Sequence, residues 1–112
     1  MNAAEYSLEE IDPTDHTTSA SLDANGQFML FASFDDAADM ARFMVEDPTS
    51  FPLVAIIAGK VEADGEHVAW SAGYAVRAAD GTVTVAEGDY ENDPDWDALY
   101  ALNTRDQAGT RQ

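Results

Sequence analysis

The segment 87–97 stands out in the sequence for its acidic side chains. They occupy every second position, at Glu87, Asp89, Glu91, Asp93, Asp95 and Asp97. In an extended chain alternate residues point the same way and recur about every 6.6 Å, so Glu87, Asp89 and Glu91 would form a row of negative charge, like the phosphates of a nucleic acid. Tyr90 and Trp96 add aromatic anchors of the kind that dominate binding hot spots. We predict that these eight residues bind a partner.

The same run also resembles a calcium-binding loop of the EF-hand type, which takes its ligands from positions 1, 3, 5, 7, 9 and 12. Aligned from Asp89, positions 1 to 9 fit. Pro94 stands where the loop requires glycine, however, Tyr100 stands where it requires a bidentate glutamate, and no helix precedes it. With only two scattered histidines and no cysteine in the chain, we predict no metal site and no cofactor.

The sequence offers few of the side chains that usually act as nucleophile or base in catalysis. The sequence has no cysteine, and its histidines are His16 and His67. Ser71 is the nearest serine on the same strand face as His67, but about 13 Å of strand separates them. His67 is expected to pair with Glu62 across a hairpin end, and His16 to lie in solvent. Since nothing pairs a nucleophile with a base, we predict that the protein is not an enzyme.

The charge balance excludes several partners. Twenty-two acidic residues against five basic ones give the 112-residue chain a formal net charge of −17. That charge repels DNA, RNA and anionic membranes, so we predict no direct binding to any of them. The absence of cysteine suits a reducing compartment. No apolar run approaches the ~18 residues of a membrane span, and the first residues lack the layout of a secretory signal. We expect a soluble, cytoplasmic protein.

An acidic surface without catalytic groups favours binding to a cationic target. We predict an inhibitor that mimics DNA and occupies the basic groove of a nucleic-acid-handling protein or complex. In size, charge and lack of catalytic residues the chain is similar to small phage inhibitors of CRISPR or restriction complexes, which act in the host cytoplasm, and to immunity proteins that neutralise nuclease toxins. A competing hypothesis takes the acids as an adaptation to high salt, since eleven lie in residues 1–50 and eleven in 51–112.

Strand and turn signals occupy the N-terminal part of the chain. We predict a short strand within residues 1–15, which otherwise form a loose end, as do residues 105–112. Asn-Gly is the strongest short hairpin signal, and a loop of Ala24–Gly26 leads into a predicted strand over 27–34. This loop creates two apolar pairs, Leu22 with Phe28 and Ala20 with Leu30.

A helix is predicted over 35–46. Its apolar residues recur at helical spacing, at Ala37, Met40, Ala41 and Met44. Ser33 or Asp35 can cap its N-terminus, where the helix dipole also favours Asp35 and Asp36. Asp47 ends the helix because the following proline disfavours the helical conformation at that position.

Two Asp-Gly turns, at Asp64 and Asp80, predict a three-stranded antiparallel meander. Taken as two-residue turns, they place apolar residues opposite one another on one face. The pairs expected in the first hairpin are Leu53–Val76, Ala55–Tyr74, Ile57–Ala72, Gly59–Trp70 and Val61–Val68. Those expected in the second hairpin are Val76–Val85 and Ala78–Val83.

The other face of the meander is built from smaller residues: Val54, Ile56, Ala58, Ser71, Gly73 and Ala75. The C-terminal helix can cover it, as can a second copy of the chain in a homodimer; in a monomer the C-terminal helix or the N-terminal segment is expected to do so. That helix is predicted to begin with Asp93 as its N-cap and Pro94 at its first position. Residues 1–112 are thus expected to form one α+β domain: a hairpin, a helix, the meander and a C-terminal helix, with an antiparallel sheet of about five strands in a two-layer sandwich.

Overall fold

The computed structural model describes residues 4–20, 25–26, 29–47 and 49–101. Its elements are the strands β1 (Glu5–Ile11), β2 (Thr18–Ala20), β3 (Leu53–Val61), β4 (His67–Arg77) and β5 (Val83–Glu87), and the helix α1 (Phe34–Glu46). The strands form one antiparallel sheet in the order β2-β1-β3-β4-β5, and a second helix occupies 96–101. The predicted α+β fold is confirmed. Within the described residues, no helix combines the length and apolarity that a membrane crossing requires.

The helix α1 forms where its spacing predicts it. Ser33 is the N-cap, and its hydroxyl accepts a hydrogen bond from the Asp36 N–H at 3.1 Å. The residues that α1 buries completely against the sheet are Ala37, Ala41 and Val45. They pack on the small-residue face, in one cluster with Val54, Ile56 and Ala75. The expectation that the C-terminal helix or a second copy covers this face was therefore wrong: α1 itself presents small side chains that fit it closely.

The second face of the sheet is covered at one end by the C-terminal part of the chain. Leu99 is buried there in a cluster with Ile11, Leu53 and Ala55, and Tyr90 and Trp96 pack against the same cluster. Residues 89–101 thus close the face that the sequence predicts to be continuously apolar.

Both turns of the meander are three-residue loops. The Glu62 N–H donates to the Glu66 carbonyl at 2.8 Å, and the Ala78 N–H donates to the Thr82 carbonyl at 2.8 Å. Each loop ends on a glycine at positive φ, the position for which three-residue hairpin loops use glycine. The expectation of two-residue turns was wrong, and the extra loop residue moves both registers by one.

A β-bulge between Ile56 and Ile57 confines this shift to the end of the first hairpin nearest its turn. Beyond the bulge the predicted pairs Leu53–Val76 and Ala55–Tyr74 are confirmed. The pairs that replace the incorrect ones are Ile57–Ser71, Gly59–Ala69 and Val61–His67, and in the second hairpin Ala75–Val85 and Arg77–Val83. Val83 and Val85 consequently pack on the α1 side. His67 does not pair with Glu62, whose carboxylate lies 3.4 Å from the Lys60 ammonium.

The N-terminal strand is an inner strand of the sheet. β1 lies between β2 and β3, and Leu8 and Ile11 are buried, so the short strand predicted within residues 1–15 is confirmed. β2 pairs with β1, which puts Ala20 opposite Glu9 and not Leu30.

The predicted strand over 27–34 is also wrong where the structure describes it. Phe31 makes one isolated bridge with Tyr6, and α1 already begins at Phe34. Leu22, Phe28 and residues 105–112 lie outside the described residues.

A buried guanidinium joins the end of α1 to the sheet. Arg77, in β4, is 8% exposed and is the one buried charged side chain among the described residues. It donates hydrogen bonds to the carbonyl oxygens of Val45 (2.7 Å), Asp47 and Ser50 (3.2 Å). These carbonyls belong to the last turn of α1 and the loop after it, so Arg77 supplies donors that the helix end lacks, at its negative end.

We expect Arg77→Gln to lower the free energy of unfolding by about 2–4 kcal/mol, because it removes a buried charge-assisted network and leaves carbonyls without donors. Arg42→Gln removes the same charge from the exposed side of α1 and should change that free energy by less than about 0.5 kcal/mol. Urea-induced unfolding of both variants at one salt concentration measures the difference. Equal losses would contradict the role given to Arg77.

A second prediction concerns two strand glycines. A Cβ on Gly73 would overlap the Ala86 carbonyl and lie 2.8 Å from the Phe34 ring, whereas one on Gly59 would meet only the Val68 carbonyl at 3.6 Å. Gly73→Ala should therefore lower the free energy of unfolding by about 1–3 kcal/mol. Gly59→Ala should be neutral or stabilise by up to ~1 kcal/mol. Thermal unfolding compares the two, and similar melting temperatures would refute the close approach of Phe34.

Candidate partner-binding face

The segment 87–97 is folded and not extended. β5 ends at Glu87, and Gly88, with φ 142°, turns the chain out of the sheet. The Asp93 N–H then donates to the Asp89 carbonyl at 2.9 Å, while the Asp93 carboxylate accepts the Asp89 N–H at 2.9 Å. The predicted straight row of Glu87, Asp89 and Glu91 was wrong, because aspartate side chains in this segment bind backbone N–H groups and favour turns.

Two further acids of the segment hold its shape. The Asp89 carboxylate accepts the Glu91 N–H at 2.9 Å and the Asn92 side-chain amide at 2.6 Å. The Asp95 carboxylate accepts the Ala98 N–H at 3.1 Å and so caps the helix over 96–101. The predicted cap at Asp93 was wrong by two residues.

Aspartates act in the same way in turns elsewhere in the fold. Asp15, Asp47 and Asp80 each accept the backbone N–H of the threonine two residues later. Hydrogen bonds from these threonines lower the pKa of all three carboxyls. Part of the acidic composition therefore serves local structure; the sequence analysis assigned such roles at helix N-termini but not these bonds to threonine in turns.

Packing of Tyr90 and Trp96 on the sheet and a backbone contact of Tyr90 with β4 anchor the segment. The Tyr90 N–H donates to the Ser71 hydroxyl at 3.0 Å, and that hydroxyl donates to the Gly88 carbonyl at 2.8 Å. The Trp96 indole N–H donates to the Glu91 carbonyl at 2.8 Å. His16, expected in solvent, stacks on Trp96 with ring centroids 4.2 Å apart. Both predicted aromatic residues thus hold the segment in place, while part of each ring stays exposed.

Carboxylates from two parts of the chain converge on Tyr90. Burial raises the pKa of the Tyr90 phenol, and the charges of Glu91, Glu9 and Asp89 raise it further. Glu9 comes from β1, about eighty residues earlier in the sequence. We call Glu9, Asp89, Tyr90 and Glu91 the acidic face. The sequence did not identify Glu9, because strand alternation alone does not show which strand lies beneath the C-terminal segment.

Four other acids of the segment 87–97 were predicted to bind a partner but are not part of the acidic face. Glu87 and Asp97 are exposed, and Asp93 and Asp95 accept the hydrogen bonds given above. Acids also lie on other elements, including Asp39 and Glu46 of α1.

Cations and metal-ligand groups are scarce around these acids. Between described residues, the structure shows one ion pair, Lys60 with Glu62, and it lies away from the acidic face. In the described part of the chain, no three histidine, aspartate or glutamate side chains come together as metal ligands.

No protein-family model, curated protein or solved structure matches the chain. Its function is therefore inferred from charge and geometry.

The raised pKa of Tyr90 predicts a pH dependence. As the pH rises through the ordinary tyrosine value of 10.0, the folded protein keeps the phenol proton and the unfolded chain loses it, so stability falls with rising pH. Tyr90→Phe should remove this part of the loss in urea unfolding. With Tyr90 in place, Glu9→Gln should lower the pKa of the Tyr90 phenol, whereas Asp39→Asn, on α1, should not. The Tyr90 titration is obtained by subtracting the near-ultraviolet absorbance of the Tyr90→Phe variant. Equal shifts in both variants would contradict the acidic face.

Proposed function

We propose that this protein is a non-enzymatic binding protein that occupies the basic groove of a nucleic-acid-handling protein or complex and inhibits it. The observation that carries the proposal is the placement of the carboxylates of the acidic face: Glu9 lies opposite Ala55, in the cluster that Tyr90 packs against, and Asp89 and Glu91 line one groove with Tyr90. Asp89 is fixed by two hydrogen bonds, and β1 fixes the backbone of Glu9. Charges held before binding lose less conformational entropy when a partner arrives.

The net charge of −17 supports the same function. It would accelerate encounter with a positively charged groove and orient the acidic face toward it. The nearest classes in chemistry are phage inhibitors of CRISPR or restriction complexes, acting in the host cytoplasm, and immunity proteins of nuclease toxins.

One observation favours a second candidate, adaptation to high salt. Acids lie on both sides of the sheet, on α1 and in the turn of the β3–β4 hairpin as well as on the acidic face. A salt-adapted coat predicts that the fold is lost at low salt, where exposed like charges are screened least. A binding protein remains folded there.

The experiment is displacement of a labelled DNA duplex from CRISPR effector complexes, restriction enzymes and nuclease toxins, followed by fluorescence anisotropy. Wild-type protein should displace DNA from at least one of them. Glu9→Gln with Glu91→Gln should weaken displacement by about tenfold, or ~1.4 kcal/mol. Asp39→Asn with Glu46→Gln removes equal charge from α1 and is the matched control.

Salt provides the second arm of this test. Displacement should weaken steeply as salt rises above about 0.1 M, since screening reduces attraction between exposed charges. Equal weakening by both double variants would show that total charge, and not the acidic face, causes the effect. Unfolding at low salt without displacement of DNA from any of the three classes would favour the salt-adapted alternative.

A further inference from the structure

The outer edge of β4 is open over residues 67–71. β5 pairs with β4 only from Gly73 to Arg77. The Gly88 N–H makes one more bond, to the Ala72 carbonyl at 3.1 Å, and the chain then turns away. Among the described residues, no strand pairs with the edge of β4 beyond that point. Backbone N–H and C=O groups at such an edge are available to another strand.

This edge lacks the protection that natural sheets usually give to exposed strands. Residues 67–71 contain no proline, lysine or acidic residue, although the chain has 22 acids. Val68 is 36% exposed and Trp70 is 42% exposed. By register both side chains point to the α1 side of the sheet, because Val68 lies opposite Lys60 and Trp70 opposite Ala58. The edge strand β2, by contrast, has only three residues.

A groove of about 490 Å³ borders the same edge. Edge residues Ala69, Trp70 and Ser71 line it together with Ile57, Asp89, Tyr90 and Glu91, so the groove joins the open edge to the acidic face. A strand added to the edge would turn alternate side chains toward this groove and the others toward Val68 and Trp70. The first set would meet carboxylates and the second would meet apolar surface.

We propose that the open edge of β4 takes an extended segment of the partner protein as an added strand, with lysine or arginine at alternate positions and apolar residues between them. This inference rests on the proposed function and specifies how the cationic partner docks. Charge complementarity selects the occupant, since Asp89 and Glu91 border the groove and a second copy of the chain would itself carry a charge of −17.

The test uses a synthetic peptide of alternating lysine and valine, about seven residues long, which spans a typical strand. One control has the same composition with its lysines and valines in separate blocks, and another carries N-methyl groups on its backbone. Isothermal titration should show binding of the alternating peptide and at least a tenfold loss for both controls, about 1.4 kcal/mol or more. Hydrogen exchange should slow at the amides of residues 67–71 that point away from β3, and not at β5.

Two variants separate the edge from general attraction. Trp70→Thr and Glu91→Gln should each weaken the alternating peptide several-fold. Phe43→Thr removes an apolar side chain that is 62% exposed on α1 and should leave binding unchanged. Should Trp70→Thr fail to fold, the peptide controls still decide the matter.

Other results would overturn the inference. Equal binding of the alternating and block peptides would show attraction by charge alone. Slow exchange in the free monomer at the amides of 67–71 that point away from β3 would mean that the chain covers its own edge. A dimer in sedimentation with the same protection would mean that a second copy does. DNA displacement that depends on Glu9 and Glu91 but not on Trp70 would leave the proposed function intact and reject this docking mode.

Discussion

Strand β3 is buried on both faces, and this burial dictates where α1 and the C-terminal segment pack. Leu53, Val54, Ala55 and Ile56 are consecutive and fully buried, so side chains on both faces of the strand must be covered. α1 covers the face with Val54 and Ile56, and the segment 89–101 covers the face with Leu53 and Ala55. Because hydrophobic burial is the main favourable term in folding, the acidic C-terminal segment is held against the sheet and is not extended into solvent.

Charge has two distinct roles in this fold. Several aspartates stabilise turns and caps by accepting backbone N–H groups, which consumes part of their hydrogen-bonding capacity within the chain. Glu9 and Glu91 instead gather near Tyr90. The opposite charge of Arg77 is buried at the negative end of α1, where carbonyl oxygens replace its hydration. The acidic face is consequently a product of packing as well as of composition.

Sequence patterns predicted α1 well and the sheet registers only in part. Helical spacing from Ala37 to Met44 and the cap at Ser33 depend on residues within two or three turns of one another, so they can be identified locally. The Asp-Gly signals located both meander turns, but dipeptides do not distinguish a two-residue loop from a three-residue loop. One added loop residue carries Val83 and Val85 to the other face, a change that the apolar pattern did not exclude because both faces are apolar.

The fold class, the position of α1, the turn sites and the charge of −17 can all be read from composition and from neighbours along the chain. Three contacts depend instead on the folded chain: Glu9 lies on the same sheet face as Tyr90, Ser71 holds the turn after Gly88, and His16 stacks on Trp96. These contacts join residues between 17 and about eighty positions apart. Strand order and register bring such residues together, and no periodicity within a single segment contains that information.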